Sequence, residues 1–163
     1  MAKKYKSWQE KLNNSKGLPK IVKITSKMAG RWGTKVGDTM VIPAPIEVDE
    51  IMKKVPKGRL VTINEIKEAL AKKHKKDGAT IGCPLTTGIF AWIAAHAAEE
   101  AKTEGKKNIT SYWRTLKTTG EINPKYPGGV DAQKKLLEKE GYKIIQKGKK
   151  YMVLDFEKYL VKL

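Results

Sequence analysis

The stretch LVTINEIKEALAKKHKK, residues 60–76, decides the fold class. Thr62 followed three residues later by Glu65 has the form of a capping box, in which each side chain satisfies a backbone N–H at a helix start. Ile63, Ile66, Ala69 and Leu70 then recur at helical spacing, which predicts an amphipathic helix opening at Thr62. Upstream, Val48, Ile51, Met52 and Val55 repeat at i, i+3, i+4 and i+7, a second helix from about Glu47 that Pro56–Gly58 stops. Downstream, the glycine-bearing turn KKDGATIGCP (75–84) leads into a third helix that starts near Thr86 and runs through GIFAWIAAHAAEEAK. Helix, short turn, helix is the outline of a helix-turn-helix, although many small helical domains share it.

Around this centre the pattern changes. KSWQEKLNN (6–14) reads as a short helix and LPKIVKI (18–24) alternates as a strand does. Met28–Thr39 is loop-rich, with Gly30, Gly33 and Gly37 separating Arg31, Trp32 and Lys35, and TMVIPAPI (39–46) is extended. Beyond the third helix, residues 109–129 offer strand-like pieces between turn residues, including Asn123–Pro124. VDAQKKLLEKEG (130–141) is a helix with Gly141 at the C′ position. YKIIQKGKKYMVLD (142–155) is a hairpin, followed by a short helix over Asp155–Leu163. The expected class is α+β: a basic N-terminal extension (1–45), a helical domain (46–142) and a C-terminal hairpin plus helix (143–163).

Charge narrows the function. The 163 residues carry 34 Lys+Arg against 17 Asp+Glu, a formal charge of +17. Mean hydropathy is −0.52. A charge of this size faces a polyanion, with nucleic acid first, or else is a lysine-rich solvated surface. No apolar run approaches the roughly 18 residues a membrane span needs. The basic start MAKKYKSWQEK has no apolar stretch behind it, so no secretory leader is expected and the chain is placed in the cytoplasm. Cys83 is the single cysteine and the histidines are His74 and His96, too few for an internal disulfide or a zinc site. No metal or cofactor is expected. His74 lies among lysines and reads as solvated; His96 reads as a partly buried helix residue.

Four segments, in order, resemble the DNA-binding domain of the O6-alkylguanine-DNA alkyltransferase family: EVDEIMKKVPKGRLVTINEIKEAL (47–70), LTTGIFAWIAA (85–95), SYWRTLKTTGEI (111–122) and YPGGVDAQKKLLEKEG (126–141). The resemblance implies a winged-helix-like helix-turn-helix fold that binds double-stranded DNA as a monomer, alone or with other DNA-repair proteins. Anchored on Arg114, it puts Tyr112 where the family has its alkyl-accepting cysteine and Trp113 where it has a histidine; Glu140 matches the glutamate of the final E-G. A phenol, with a pKa near ~10, is a poor nucleophile at neutral pH. The pattern is most similar to the alkyltransferase-like branch, whose members lack the cysteine and bind alkylated DNA without repairing it.

On that basis Tyr112, Trp113, Arg114, Tyr126 and Glu140 are the lesion-pocket candidates. The DNA-binding candidates are Thr62, Asn64, Leu85, Thr86 and Thr87, together with Lys3, Lys4 and Lys6, which with Lys11, Lys16 and Lys20 read as an N-terminal arm laid along phosphates. Leu85 replaces the family's recognition-helix arginine and Ile63 its phosphate-turning tyrosine. Each assignment has a plainer counterpart: Thr86 or Thr87 as a helix cap, Tyr112 and Trp113 as core, Ile89, Phe90, Trp92 and Ile93 as core rather than an intercalating wedge, the lysines as solvated charge. No catalytic residue is assigned. The alternatives in function are an active methyltransferase with its acceptor moved to Cys83, or a general nucleic-acid-binding module.

Overall fold

The computed structural model describes residues 6–163. Twelve elements follow in chain order. They begin with α1 (Trp8–Asn13), β1 (Lys20–Lys23), β2 (Thr39–Ile42) and α2 (Pro45–Lys53). Next come β3 (Val61–Thr62), α3 (Ile63–Lys73), β4 (Ile81–Gly82) and α4 (Pro84–Thr103). Last are β5 (Thr115–Leu116), α5 (Gly129–Lys139), β6 (Ile144–Lys147) and β7 (Lys150–Val153). The class is α+β, with α3 and α4 as the helix-turn-helix.

The capping box at the head of α3 is formed as its spacing predicts. Thr62 Oγ1 accepts the Asn64 N–H at 3.2 Å, and the Thr62 N–H donates to Glu65 Oε1 at 2.9 Å. Ile66 and Leu70 from this helix are fully buried with Val48, Met52, Val55 and Val61. Against them packs α4, whose inward side is alanine: Ala91, Ala94, Ala95, Ala97 and Ala98. Such small side chains let neighbouring helices approach on several sides at once.

The turn between α3 and α4 holds more structure than its sequence suggests. After a single 3-10 turn at Lys75–Asp77, β4 pairs in parallel with β2, Met40 opposite Ile81 and Val41 opposite Gly82. A Cβ on Gly82 would sit 2.4 Å from the Lys67 carbonyl oxygen, so only glycine lets β4 lie this close to α3. The third helix then begins at Pro84, two residues before the expected Thr86. Proline fits the first helical position because its missing N–H has no intrahelical partner there.

Three further expectations are corrected. The helix and strand expected over 6–24 are formed, but they are docked and do not trail as an arm: α1 is capped by a Ser7–Glu10 box, Leu12 is buried in the main core, and Glu100 of α4 accepts the Trp8 and Gln9 backbone N–H groups at 3.1 Å each. Lys3 and Lys4 lie outside the described residues. The C-terminal helix is only a 3-10 turn at Phe156–Tyr159, because the chain is drawn into extended pairing beyond it. There the Leu60 N–H donates to the Tyr159 carbonyl and the Val161 N–H to the Leu60 carbonyl.

His74, read as solvated, is buried. Its Nε2 lies 2.6 Å from Glu47 Oε2 and its Nδ1 lies 3.0 Å from Asp77 Oδ2, while Lys73 Nζ reaches the same Glu47 oxygen at 2.7 Å. Glu47 Oε1 accepts the Ala44 N–H at 3.0 Å, so one carboxylate ties the start of α2 to the end of α3. Burial pushes the Glu47 carboxyl up, but the Lys73, Ala44 and His74 hydrogen bonds together hold it below its ordinary value.

Two predictions follow from these contacts. Thr62→Ala removes the cap and costs about 1 kcal/mol of stability, read from the urea midpoint. Because the Glu47 carboxyl is depressed in the folded state, its contribution is present above its ordinary value of 4.5 and is lost as pH falls through the lower folded value. Glu47→Gln should therefore flatten stability against pH below about 4.5 and, by leaving the buried His74 ring and the Ala44 N–H with a poorer acceptor, cost about 1–2 kcal/mol at neutral pH.

Candidate nucleic-acid interface

The first two turns of α4 are buried on the side of Thr87 and open on the opposite face. Leu85 is 51% exposed and Ile89, one turn on, 42% exposed. They stand at the mouth of a largely apolar groove of about 650 Å³. One wall is Ile63 with Pro84, Leu85, Gly88, Ile89 and Trp92; the other is Lys117 and the loop Asn123–Lys125. That loop is fastened from α4. Trp92 Nε1 donates to the Lys125 carbonyl at 3.1 Å, and His96 Nε2 lies 3.0 Å from the same oxygen. Trp8 of α1 stacks on His96, with ring centroids 4.5 Å apart. The aromatic wall is thus fixed before any ligand arrives.

The DNA-binding candidates divide on inspection. Leu85, half-buried Asn64 and exposed Lys6 present side-chain surface to solvent. Thr62 is buried, and its hydroxyl proton goes to Glu65 Oε1 at 2.8 Å. Thr87 is also buried and donates to the Cys83 carbonyl at 2.6 Å, so it serves the helix. Thr86 Oγ1 has no hydrogen-bond partner among the described residues although the atom is buried. Ile89 and Trp92, weighed as core, both line the groove. The residues that sequence reasoning did not single out are Lys117, Asn123 and Lys125. The only signal for them was the Asn123–Pro124 turn, which carries no functional mark.

The five lesion-pocket candidates do come together, but as a packed cluster. Tyr112 is 2% exposed and its hydroxyl donates to Glu99 Oε2 at 3.2 Å. Burial, and then the Glu99 charge, push that phenol well above the ordinary tyrosine range. Tyr126, also buried, packs edge-on with ring centroids 6.1 Å from Tyr112. Glu140 accepts from Trp113 Nε1 at 2.9 Å and from Arg114 Nε and Nη2 at 2.9 Å each. Arg114 Nη1 also donates to the Val55 carbonyl at 2.8 Å, which locks α2 to the C-terminal end of α5. Burial raises the Glu140 carboxyl, but the Arg114 and Trp113 hydrogen bonds bring it below its ordinary value. Gln133 of α5, fully buried, donates to the Trp113 carbonyl at 3.1 Å.

None of the five lines the large groove. Beside Tyr112 lies a separate space of about 320 Å³, edged by Glu99, Lys102 and Lys135. The chemistry available at Tyr112 is hydrogen bonding and packing, since a buried phenol held to a carboxylate is a weak nucleophile. Cys83 is no better placed. It is buried as the N-cap of α4, packed with Ile24 and Met40, and its Sγ lies 3.5 Å from the Thr86 nitrogen.

No protein-family model matches the sequence, and a search of curated proteins finds no match either. Among solved structures the chain is similar to S. pombe Atl1 in complex with damaged DNA containing O6-carboxymethylguanine. The identity is 21%, the TM-score 0.50, and the match covers 73% of this chain and 94% of that one. It is likewise similar to S. pombe ATL in complex with DNA, at 20% identity and a TM-score of 0.50, with the same coverage of each chain. With its helix-turn-helix and four ordered segments, the chain has the fold of the alkyltransferase-like proteins.

Proposed function

We propose that this protein binds double-stranded DNA without chemistry, docking the N-terminal turns of α4 on the duplex and sensing alkylated guanine there. The observation that carries it is the open end of α4: Leu85 and Ile89 stand exposed beside a groove walled by Trp92, in a fold whose solved neighbours hold DNA. A leucine at this place works as an apolar wedge between base steps, an action that costs a few kcal/mol of unstacking and bends the duplex. Trp92 supplies a face against which an unstacked base can lie. Lys117 and Lys125, on the opposite wall, supply charge for the neighbouring phosphates.

Binding isotherms on matched duplexes with and without O6-methylguanine test the reading. Tighter binding of the alkylated duplex supports lesion sensing, and equal affinity leaves a general duplex-binding module. Leu85→Glu should weaken duplex binding at least tenfold, about 1.4 kcal/mol, while the thermal midpoint stays unchanged because the side chain is exposed. A variant that binds as the parent does would remove α4's first turn from the interface.

The non-catalytic part has its own test. After incubation with duplex carrying a labelled methyl on guanine O6, no label should remain on the protein, because Tyr112 and Cys83 are both buried. Label recovered on Cys83, and lost in Cys83→Ser, would make the protein a methyltransferase instead.

A further inference from the structure

The segment between α1 and α2 carries charge that the helix-turn-helix does not explain. From Asn14 to Asp38 it holds Lys16, Lys20, Lys23, Lys27, Arg31 and Lys35 against a single acid, Asp38. All six cationic side chains are exposed. Among the described residues, none of them forms an ion pair with a carboxylate. Asp38 is itself occupied, since its Oδ2 accepts the Lys35 backbone N–H at 2.9 Å.

These charges stand on a built frame. β1 pairs antiparallel with β2 from Lys20 opposite Ile42 to Lys23 opposite Thr39. The loop beyond is closed by the Ile24 N–H donating to the Asp38 carbonyl at 2.8 Å and the Gly30 N–H donating to the Thr34 carbonyl at 2.8 Å. Thr34 Oγ1 donates to the Arg31 carbonyl at 2.7 Å. Beneath the sheet is a small core of Ile24, Met40 and Cys83. Cys83 is the residue that caps α4, and its N–H donates to the Val41 carbonyl at 3.0 Å. The basic sheet is therefore joined, through β2, β4 and this core, to the N-terminal end of α4 where Leu85 is exposed.

We propose that residues 14–43 form a second duplex-binding surface, a clamp on the phosphodiester backbone held in fixed relation to the N-terminal end of α4. The proposal rests on the DNA-binding reading above and assigns the N-terminal sheet a part in it. Its ligand is the phosphate backbone rather than base edges, since flexible lysines on a strand and loop give charge without directional readout. Each phosphate it neutralises releases counterions, so its contribution is salt-dependent.

The test is a pair of salt titrations on the full chain and a variant carrying Lys20→Gln, Lys23→Gln, Lys27→Gln, Arg31→Gln and Lys35→Gln. A control removes the same charge elsewhere with Lys102→Gln, Lys107→Gln, Lys139→Gln, Lys158→Gln and Lys162→Gln. Each lost phosphate contact flattens the slope of log K against log[salt] by about 0.9, so two or more contacts give a change of at least about 1.8. That change in the first variant, with the control keeping the larger slope, supports the clamp. Equal slopes in the two variants overturn it. Hydrogen exchange on the unaltered chain gives a second measurement: protection of residues 20–38 when duplex is added supports the clamp, and protection confined to α3 and α4 overturns it. If the unaltered chain binds no duplex at low salt, DNA binding itself falls, and the clamp with it.

Discussion

The structure depends on covering one helix. α4 runs for 20 residues with alanines on its buried side, and a helix so apolar is stable in water only when other elements surround it. α1, α2 and α3 all pack against it, and the Tyr112–Arg114 turn closes the space that remains. Because alanine adds little bulk, the cover has to come close, and each covering element is pinned by a polar contact as well as by packing. Glu100 holds α1, Glu47 with His74 fixes α2 to α3, and Glu140 with Arg114 fixes α2 to α5. Over the first two turns the cover leaves one face, that of Leu85 and Ile89, open.

The same scheme accounts for Tyr112, which the resemblance sets at the position of the alkyltransferases' acceptor cysteine. A cysteine there needs an open approach and a proton acceptor. A tyrosine, larger and bonded to Glu99, fills the space and becomes part of the cover over α4. Glu140 accepts from both the Trp113 and Arg114 side chains and works here as a structural clamp. A larger cavity lies between α4 and the 123–125 loop, and its shape is set by Trp92 and His96 holding that loop through one carbonyl oxygen.

Polar groups thus do two jobs in this chain. Buried ones, such as Glu47, Asp49, Thr62 and Gln133, orient helices and are consumed in doing so. The positive charge sits outside, and in residues 14–38 it has almost no acid to balance it. Electrostatic attraction of this kind gives affinity and fast encounter without sequence choice. On the DNA-binding reading proposed above, discrimination between sites falls to the apolar groove.

The sequence by itself determined the helix-turn-helix. Thr62 with Glu65, the stripe Ile63–Ile66–Leu70 and the glycine at 141 are local signals, and local hydrogen bonding and periodicity are enough to make them legible. It also carried the four ordered segments on which the resemblance rests, and with them the expectation that Tyr112 stands at the acceptor position. Tertiary structure alone decided which polar residues were available. His74 among lysines and Thr87 on a helix looked equally ready for solvent, yet one is buried against Glu47 and the other bonds back to Cys83. The start of α4 at Pro84 and the hidden strand β4 depend on pairing with β2, some 40 residues earlier in the chain. Lys117, Asn123 and Lys125 become groove residues only because Trp92 and His96 draw the loop onto α4. Contacts between residues distant in sequence leave no periodic trace in it, so what depends on them appears only once the chain has folded.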